Sequence, residues 1–298
     1  MQWPGRGTEA FVPPVAVVTD TTAYLPSELI RERGIGLVSL YVSWDDRSER
    51  ESDMPSLDAF YDRLRGTQRL PTTSQPSIGD FLEVYEPLVE AGQDIVSIHL
   101  SGGISGTVEA ARQAAERIAK RRGTGRVTVI DSATICGGLA LVVLGAARAA
   151  AGGGDAEKVA QRARDAREEM KMWFALDTLE YLRRGGRIGA ASAWLGSALK
   201  IKPILTLEEQ ITPVERVRTH TRVLQRLVHY AQQRKADGCD AWLVQHIQAP
   251  DEAARLVEAT QKIMDCPPLF VSEVGPVGGS YAGPGMLGIG AMPAKYLD

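Results

Sequence analysis

Two patterns of hydrophobic residues alternate along the first half of the chain. Short apolar runs rich in branched residues, typical of buried strands, occupy residues 15–20, 36–44, 94–100 and 126–130. Between them lie longer segments in which apolar residues recur at helical spacing. Because strands joined by helices in this order favour parallel neighbours, the pattern predicts a mostly parallel, Rossmann-like α/β sheet.

Capping residues mark where the helices of this half begin. Pro26 and Ser27 open one helix, Ser56 caps a second, and Ser77 caps a third that carries one apolar stripe. We interpret residues 71–77, which precede the third helix, as a polar loop. Two further helices are predicted after the strands that end near residues 100 and 130.

A glycine-rich break at residues 152–154 precedes a second half in which the order of predicted strands and helices differs from that of the first. A charged helix over 155–170 opens it, and the strands 203–207 and 210–217 can pair as a hairpin through Glu208 and Glu209. We therefore expect a flexible leader over 1–14, an α/β domain over 15–154 and an α+β domain over 155–298. The other predicted elements of the second half are strands at 172–176, 241–247, 269–274 and 286–292 and helices at 221–235 and 251–264.

Composition and charge exclude several classes of protein. Of 298 residues, 44% are hydrophobic and 24% are charged, which argues against disordered, collagen-like and coiled-coil chains. The formal net charge of -3 gives no reason to expect a nucleic acid partner. The longest apolar stretch is too short and too rich in glycine for stable membrane insertion, and the first residues lack a signal-peptide pattern. We expect a cytoplasmic protein.

Cysteine and histidine spacing indicates no metal site. Cys136, Cys239 and Cys266 are odd in number and scattered, without a CxxC motif. The four histidines show no ligand spacing either. The sequence therefore predicts neither a metal nor a cofactor, and a reducing compartment suits the free thiols.

Small hydroxyl residues cluster where three strands end, at residues 20–22, 101–107 and 131–132, and a fourth cluster lies in the loop at 73–75. Because the carboxyl ends of parallel strands share one edge of a sheet, we expect these clusters to meet in one crevice. Hydroxyl groups and free backbone N–H groups at helix starts suit a carboxylate or a phosphate. Each hydroxyl taken alone is more typical of a residue that caps its own helix, but the coincidence of four clusters indicates an anionic ligand.

Sequence motifs for catalysis are incomplete. Residues 101–107 lack both the GxGxxG spacing of dinucleotide folds and the GK[ST] ending of a phosphate loop, and they miss the last glycine of a GxSxG elbow. We predict no catalytic residue, because no nucleophile can be paired with a general base. The arginines around Gly185 and Gly186 either complement a helix end or clamp an anion. Residues 275–285 are dense in glycine and predict a loop, followed by a strand that closes an apolar wall.

The ordered set of motifs resembles the DegV family of bacterial fatty-acid-binding proteins. The motifs follow family order from about residue 15 to the end of the chain: DTTAYLP at 20–26, TSQPS at 73–77, the loop 100–107, DS at 131–132, GGRI at 185–188, IKPIL at 201–205 and GPG at 283–285.

This resemblance implies a two-domain protein that buries a long-chain fatty acid in a tunnel, to which the second domain contributes together with its GGRI and GPG loops. Some family members are binding subunits of bacterial fatty acid kinase and present the carboxylate to a separate catalytic subunit, which forms an acyl phosphate for phospholipid metabolism. The implied carboxylate ligands are Thr73, Ser74, Ser101, Ser105 and Tyr281, and the residues implied near the head group or facing a partner are Arg187, Asp20 and Thr21.

Three positions depart from the family pattern. Tyr281 stands two residues before the GPG motif, where many members carry a histidine. Gly102 replaces the second serine of a common pair, and Cys136 occupies a position where serine is common. These departures favour fatty-acid binding over full competence as a kinase subunit. The alternatives are a lipid carrier or sensor without a kinase partner and, less favoured, a hydrolase or phosphoryl-transfer enzyme that uses Ser105 or Asp20.

Overall fold

The computed structural model describes residues 13–122, 126–195 and 201–298. Residues 1–12 of the predicted leader lie outside the described residues. Its last two residues are anchored, because the backbone oxygens of Pro13 and Pro14 accept hydrogen bonds from Gln93 Nε2 (2.9 Å) and Asp94 N (3.0 Å). Pro13 and Pro14 are therefore joined to the strand that begins at Asp94.

Thirteen strands and ten α-helices form the described part of the chain. The strands are β1 (Val15–Asp20), β2 (Gly36–Val38), β3 (Tyr41–Trp44), β4 (Arg47–Arg50), β5 (Thr72–Ser74), β6 (Asp94–His99), β7 (Val127–Asp131), β8 (Lys171–Ala175), β9 (Lys202–Glu208), β10 (Gln210–Val217), β11 (Ala241–His246), β12 (Val271–Glu273) and β13 (Leu287–Met292). The helices are α1 (Ser27–Arg33), α2 (Leu57–Gly66), α3 (Ile78–Glu90), α4 (Thr107–Arg122), α5 (Cys136–Ala151), α6 (Ala156–Glu169), α7 (Glu180–Arg184), α8 (His220–Ala236), α9 (Pro250–Met264) and α10 (Pro276–Ala282).

The first sheet has the strand order β2-β1-β6-β7, and every neighbouring pair is parallel. Both faces of β1 are buried: Val15 and Val17 pack in a core with α5, whereas Ala16 and Val18 pack in a core with α3 and α4. A parallel strand covered by helices on both sides is apolar at successive positions, as this sequence is. The mostly parallel α/β prediction for this half is confirmed.

A small antiparallel sheet with the order β4-β3-β5 corrects two predictions. The predicted strand 36–44 is two strands in different sheets, because the backbone N–H of Leu40 donates to the Thr21 hydroxyl (3.3 Å) instead of continuing a ladder. The predicted loop 71–77 contains β5, in which Thr73 pairs with Val42 of β3. Its polar composition concealed this short strand, because β5 is largely solvent-exposed.

The third sheet has six strands in the order β10-β9-β8-β13-β11-β12, mostly antiparallel. Helices α8 and α9 cover its outer face, and α5 packs against its inner face. Strands β9 and β10 form the predicted hairpin, with Glu209 at its tip in the left-handed region (φ 67°). The tip contacts the first half of the chain, because Glu209 N donates to Ala133 O (2.8 Å).

The glycine-rich segment predicted as a loop contains the short helix α10 instead. Its glycines permit close packing rather than flexibility, since a Cβ at Gly279 would overlap the buried Tyr61 ring. Its first turn is held by side chains: Val277 N donates to Glu51 Oε1 (2.8 Å) and Gly278 N donates to the Tyr24 hydroxyl (2.7 Å). Tertiary contacts therefore override the low helix propensity of glycine.

Helix α5 joins the two larger sheets. It packs against β1 and β6 of the parallel sheet and against β13 and β11 of the six-stranded sheet. The largest apolar core accordingly includes residues from both halves of the chain. Helix α6, assigned to the second domain by its sequence, packs on α5, β6 and β7.

Candidate functional site

An apolar cavity of about 270 Å³ lies where the parallel sheet, the six-stranded sheet, β5 and α10 come together. Burial raises the pKa of the Cys136 thiol on its wall, so this thiol is uncharged at neutral pH. The apolar residues that line the cavity are Leu40, Leu100, Ile104, Ile135, Met172, Phe174, Leu182, Leu207, Ile211, Val274, Val277, Ala282 and Met286. Strand β13 itself contributes none of these side chains, although Met286 immediately precedes it.

Polar residues occupy one region of the cavity wall. The Thr73 and Tyr281 hydroxyls are 2.7 Å apart and share a hydrogen bond, which joins β5 to α10. The Arg187 guanidinium lies 5.2 Å from the centre of the Tyr281 ring and donates to the backbone oxygen of Gly185 (2.9 Å). The polar lining residues are Thr73, Ser74, Gln75, Ser105, Arg187 and Tyr281. This region therefore provides hydroxyl donors beside a positive charge.

Ser105 stands two residues before the first residue of the long helix α4. Its Oγ lies 2.8 Å from the Thr107 hydroxyl and accepts a hydrogen bond from Thr107 N (3.3 Å). The neighbouring Gly106 allows the Gln75 carboxamide to pack against the backbone, because a Cβ at residue 106 would overlap that carboxamide. The start of α4 thus faces the cavity with a hydroxyl and with the positive end of its helix dipole.

The polar region also opens towards the surface. Thr73, Arg187 and Tyr281 line both the cavity and an adjoining groove that contains Arg69 and Arg184. No carboxylate is among the described residues that line this groove. A group bound at Thr73 and Tyr281 therefore sits between an apolar interior and a basic surface.

The predicted hydroxyl crevice is only partly formed, because Ser101 lies outside the cavity. Its hydroxyl donates to the backbone oxygen of Glu209 (2.7 Å) and accepts from Gly103 N (3.1 Å). Ser101 is fully buried beneath the hairpin tip. It secures the β9–β10 hairpin, a role that sequence reasoning missed because its partner lies 108 positions away.

Asp20 and Thr21 are also outside this cavity. The Asp20 carboxylate is fully buried and accepts hydrogen bonds from His99 Nδ1 (3.0 Å) and Leu100 N (3.0 Å). Thr21 lines a separate cleft beside Tyr24 and Pro276. The hydroxyl cluster that follows β1 therefore organises the sheet edge instead of facing the apolar cavity.

A chain of buried polar groups extends from Asp20. Ser97 Oγ lies 2.7 Å from His99 Nε2 and accepts a hydrogen bond from the Tyr85 hydroxyl (2.7 Å). The order Ser97, His99, Asp20 matches a hydrolytic triad, but all three side chains are inaccessible to solvent. The chain instead ties β1, β6 and α3 together.

Glu51 is a buried carboxylate that the sequence did not single out, since it lies within the charged run 45–53. Its Oε1 accepts hydrogen bonds from Val277 N and from the Tyr24 hydroxyl (3.0 Å). Burial raises the pKa of Glu51 to about 7. This carboxyl fixes the start of α10, the helix that carries Tyr281 to the cavity.

Two searches of the described residues are negative. No helix among them is long and apolar enough to cross a membrane. Within residues 13–122, 126–195 and 201–298, no group of three or more His, Cys, Asp or Glu side chains is arranged to hold a metal ion.

Comparison with known sequences identifies relatives along almost the whole chain. The family profile described as "Uncharacterised protein, DegV family" matches residues 14–294. A DegV domain-containing protein from Streptomyces coelicolor is 40% identical over 278 residues, which cover 92% of this chain and 97% of the relative. Protein DegV from Bacillus subtilis is 32% identical over 278 residues, which cover 92% of this chain and 98% of the relative.

Solved structures with the same fold include two that are described as binding fatty acids. A fatty-acid-binding DegV family protein from Thermus thermophilus superposes with a TM-score of 0.83 at 32% identity, covering 94% of this chain and 99% of that one. DegV from Bacillus subtilis, described as a fatty acid binding protein, gives a TM-score of 0.83 at 31% identity, covering 94% and 100% of the two chains.

Proposed function

Because the chain belongs to the DegV family, we propose that it binds one long-chain fatty acid, with the acyl tail in the apolar cavity and the carboxylate at Thr73, Ser74 and Ser105. The observation that carries the proposal is the combination of an apolar interior with one polar region that opens to the surface. The solved relatives from Thermus thermophilus and Bacillus subtilis support it, since both are described as binding fatty acids.

The chemistry of the cavity suits both ends of such a ligand. Each methylene transferred from water to an apolar site contributes about 0.8 kcal/mol. The carboxylate loses hydration on entry, and this cost is offset only where hydrogen-bond donors replace water. Thr73, Ser105 and Tyr281 supply hydroxyl donors, and Arg187 supplies a nearby positive charge.

The hydrogen bond between Thr73 and Tyr281 occupies one of their two hydroxyl protons. The other proton is available to an incoming carboxylate oxygen. When the carboxylate replaces the contact between the two hydroxyls, both can donate to it, which strengthens the site because hydrogen bonds to a charged acceptor are stronger than neutral ones.

Removal of two hydroxyls tests the carboxylate site. The double variant Thr73→Ala/Ser105→Ala is expected to weaken fatty-acid binding by about 1–3 kcal/mol, the range for hydrogen bonds to a charged group. Native mass spectrometry of the delipidated protein titrated with hexadecanoate measures this loss. Ser48→Ala/Thr212→Ala, which removes two exposed hydroxyls away from the cavity, is the control. Equal affinity of both double variants and the parent would contradict the proposed site.

We further propose that the bound carboxylate is presented to a fatty acid kinase, which converts it to an acyl phosphate. The position of Thr73 and Tyr281 between cavity and groove supports access from the surface, and Arg69, Arg184 and Arg187 supply positive charge for an anionic reaction partner. Acyl phosphate formation in the presence of a fatty acid kinase catalytic subunit and ATP tests this step.

A carrier or sensor without a kinase partner is the second candidate, and Tyr281 favours it. A tyrosine hydroxyl is neutral at pH 7, whereas a histidine at this position can carry a charge. Tyr281→His is expected to retain fatty-acid binding and to increase acyl phosphate formation by the kinase, as measured by hydroxylamine trapping. An unchanged rate would show that Tyr281 does not limit transfer.

A further inference from the structure

Met172 forms part of the cavity wall on the central strand β8. Its side chain is 4% exposed and faces α5 rather than the outer helices. Along β8, Phe174 stands two residues closer to the segment that leads through α7 to Arg187, and both side chains line the cavity. Met172 is therefore the farther of the two from that segment along β8.

The thioether of Met172 is held against the start of α5. The Thr134 hydroxyl donates a hydrogen bond to Met172 Sδ at 3.6 Å. Thr134 is fully buried, so this hydroxyl has no access to water. A sulfur acceptor is weak, but a buried hydroxyl without any partner is costly, and the contact is therefore favoured.

Gly138 provides the recess that receives the thioether. A Cβ at residue 138 would lie 3.0 Å from Met172 Sδ and would also overlap the Thr134 hydroxyl. A Cβ here therefore displaces the Thr134 hydroxyl, the group that holds the thioether, and crowds the sulfur itself. Because Met172 itself lines the cavity, the open space next to its side chain is that cavity.

We infer that Met172, held back by Thr134 and Gly138, determines the length of acyl chain that the cavity accepts. This inference rests on the proposed function, since it concerns the tail of the same ligand. The thioether leaves the cavity open while it is bound to α5. Methionine has flexible torsions, so once released it swings into the cavity and occupies space that the end of a long tail requires.

Opposite substitutions should shift chain preference in opposite directions. Met172→Ala removes the side chain and enlarges the cavity, which favours octadecanoate over dodecanoate. Thr134→Val keeps the volume of the side chain but removes the hydroxyl that binds sulfur, and Gly138→Ala fills the recess. Both release Met172 into the cavity and favour dodecanoate. Room gained or lost for two methylenes changes the relative affinity about tenfold.

Competition between acids measures this preference directly. Delipidated protein is incubated with equimolar dodecanoate and octadecanoate, and native mass spectrometry gives the ratio of the two complexes. Met292→Ala is the matched control, because Met292 is a buried methionine on β13 that does not line the cavity. Its ratio is expected to equal that of the parent. Circular dichroism establishes that each variant is folded, and Thr134→Val is the mildest change should Gly138→Ala prevent folding.

The outcomes separate the two proposals. A ratio of octadecanoate complex to dodecanoate complex that rises in Met172→Ala and falls in Thr134→Val supports the role of Met172. Ratios equal to that of the parent in both variants overturn this inference and leave fatty-acid binding intact. A parent protein that binds neither acid overturns the proposed function, and the assignment of Met172 falls with it.

Discussion

Two glycines near the cavity contact side chains that differ in freedom to move. A Cβ at Gly279 would overlap the ring of Tyr61, which is fully buried and donates to the Val274 backbone oxygen (2.5 Å). The three atoms nearest to a Cβ at Gly106 all belong to the carboxamide at the end of the exposed Gln75 side chain. The first neighbour is fixed by the core, whereas the second can rotate away.

Gly279→Ala is therefore expected to lower the free energy of unfolding by about 1–3 kcal/mol, the usual cost of overpacking a core. Gly106→Ala is the matched variant and is expected to change it by less than about 1 kcal/mol, because Gln75 adopts another rotamer. Urea denaturation of both proteins measures the difference. Equal stabilities would mean that Tyr61 is free to move.

The residues of the candidate site show what sequence reasoning can and cannot reach. Thr73, Ser105, Arg187 and Tyr281 line one cavity, as the family motifs implied that they would be neighbours. Ser101 has the same residue type and belongs to the same loop as Ser105, yet it bonds to the hairpin tip. Motif and spacing do not distinguish these two serines, because the partner of Ser101 is a backbone oxygen brought near by the fold.

Among the secondary-structure elements, α10 has a buried carboxyl among the groups that hold its first turn. Glu51 accepts hydrogen bonds from Val277 N in the first turn and from Tyr24, and burial raises its pKa to about 7. The folded protein therefore holds the Glu51 proton more tightly than the unfolded chain does. The stability associated with that proton is complete below the ordinary pKa of 4.5 and is lost as the pH rises through about 7.

Glu51→Gln removes this titration and keeps an oxygen that can accept from Val277 N. Between pH 4.5 and pH 7, the free energy of unfolding of the parent is expected to fall by roughly 3 kcal/mol relative to that of the variant. Chemical denaturation of both proteins from pH 4.5 to pH 8 measures this difference. His246, whose pKa burial lowers, is present in both proteins, so its contribution cancels. Parallel stability curves would show that Glu51 does not titrate in this range.

Elements were predictable where a regular pattern of buried residues determines them. The strands of the parallel sheet and the helices capped by Ser56 and Ser77 follow from apolar runs and caps. Strand β5 and helix α10 did not follow, because β5 is a short exposed strand and α10 is rich in glycine. Both are stabilised by contacts with distant elements, which local sequence does not contain.

For the molecule as a whole, a bound fatty acid is expected to increase thermal stability. A ligand that binds only the folded state, at a free concentration of about 100 times its Kd, raises the free energy of unfolding by about 2.7 kcal/mol. This corresponds to an increase in Tm of about 5–10 °C for a protein of this size. Differential scanning fluorimetry of delipidated protein with and without hexadecanoate measures the shift. Methyl hexadecanoate is the control, since it keeps the tail and lacks the charge. An equal shift with the ester would contradict binding of the carboxylate by the polar region.

Helix α5 also affects how cooperatively the protein unfolds. Thirteen of its sixteen residues are buried, and its contacts are divided between the parallel sheet and the six-stranded sheet. Neither sheet can lose its neighbour without exposing one side of this helix to water, so the free energies of unfolding of the two halves are coupled. Heat is expected to melt the described structure in one cooperative transition, and the slowest amide hydrogens to exchange with deuterium are expected along α5.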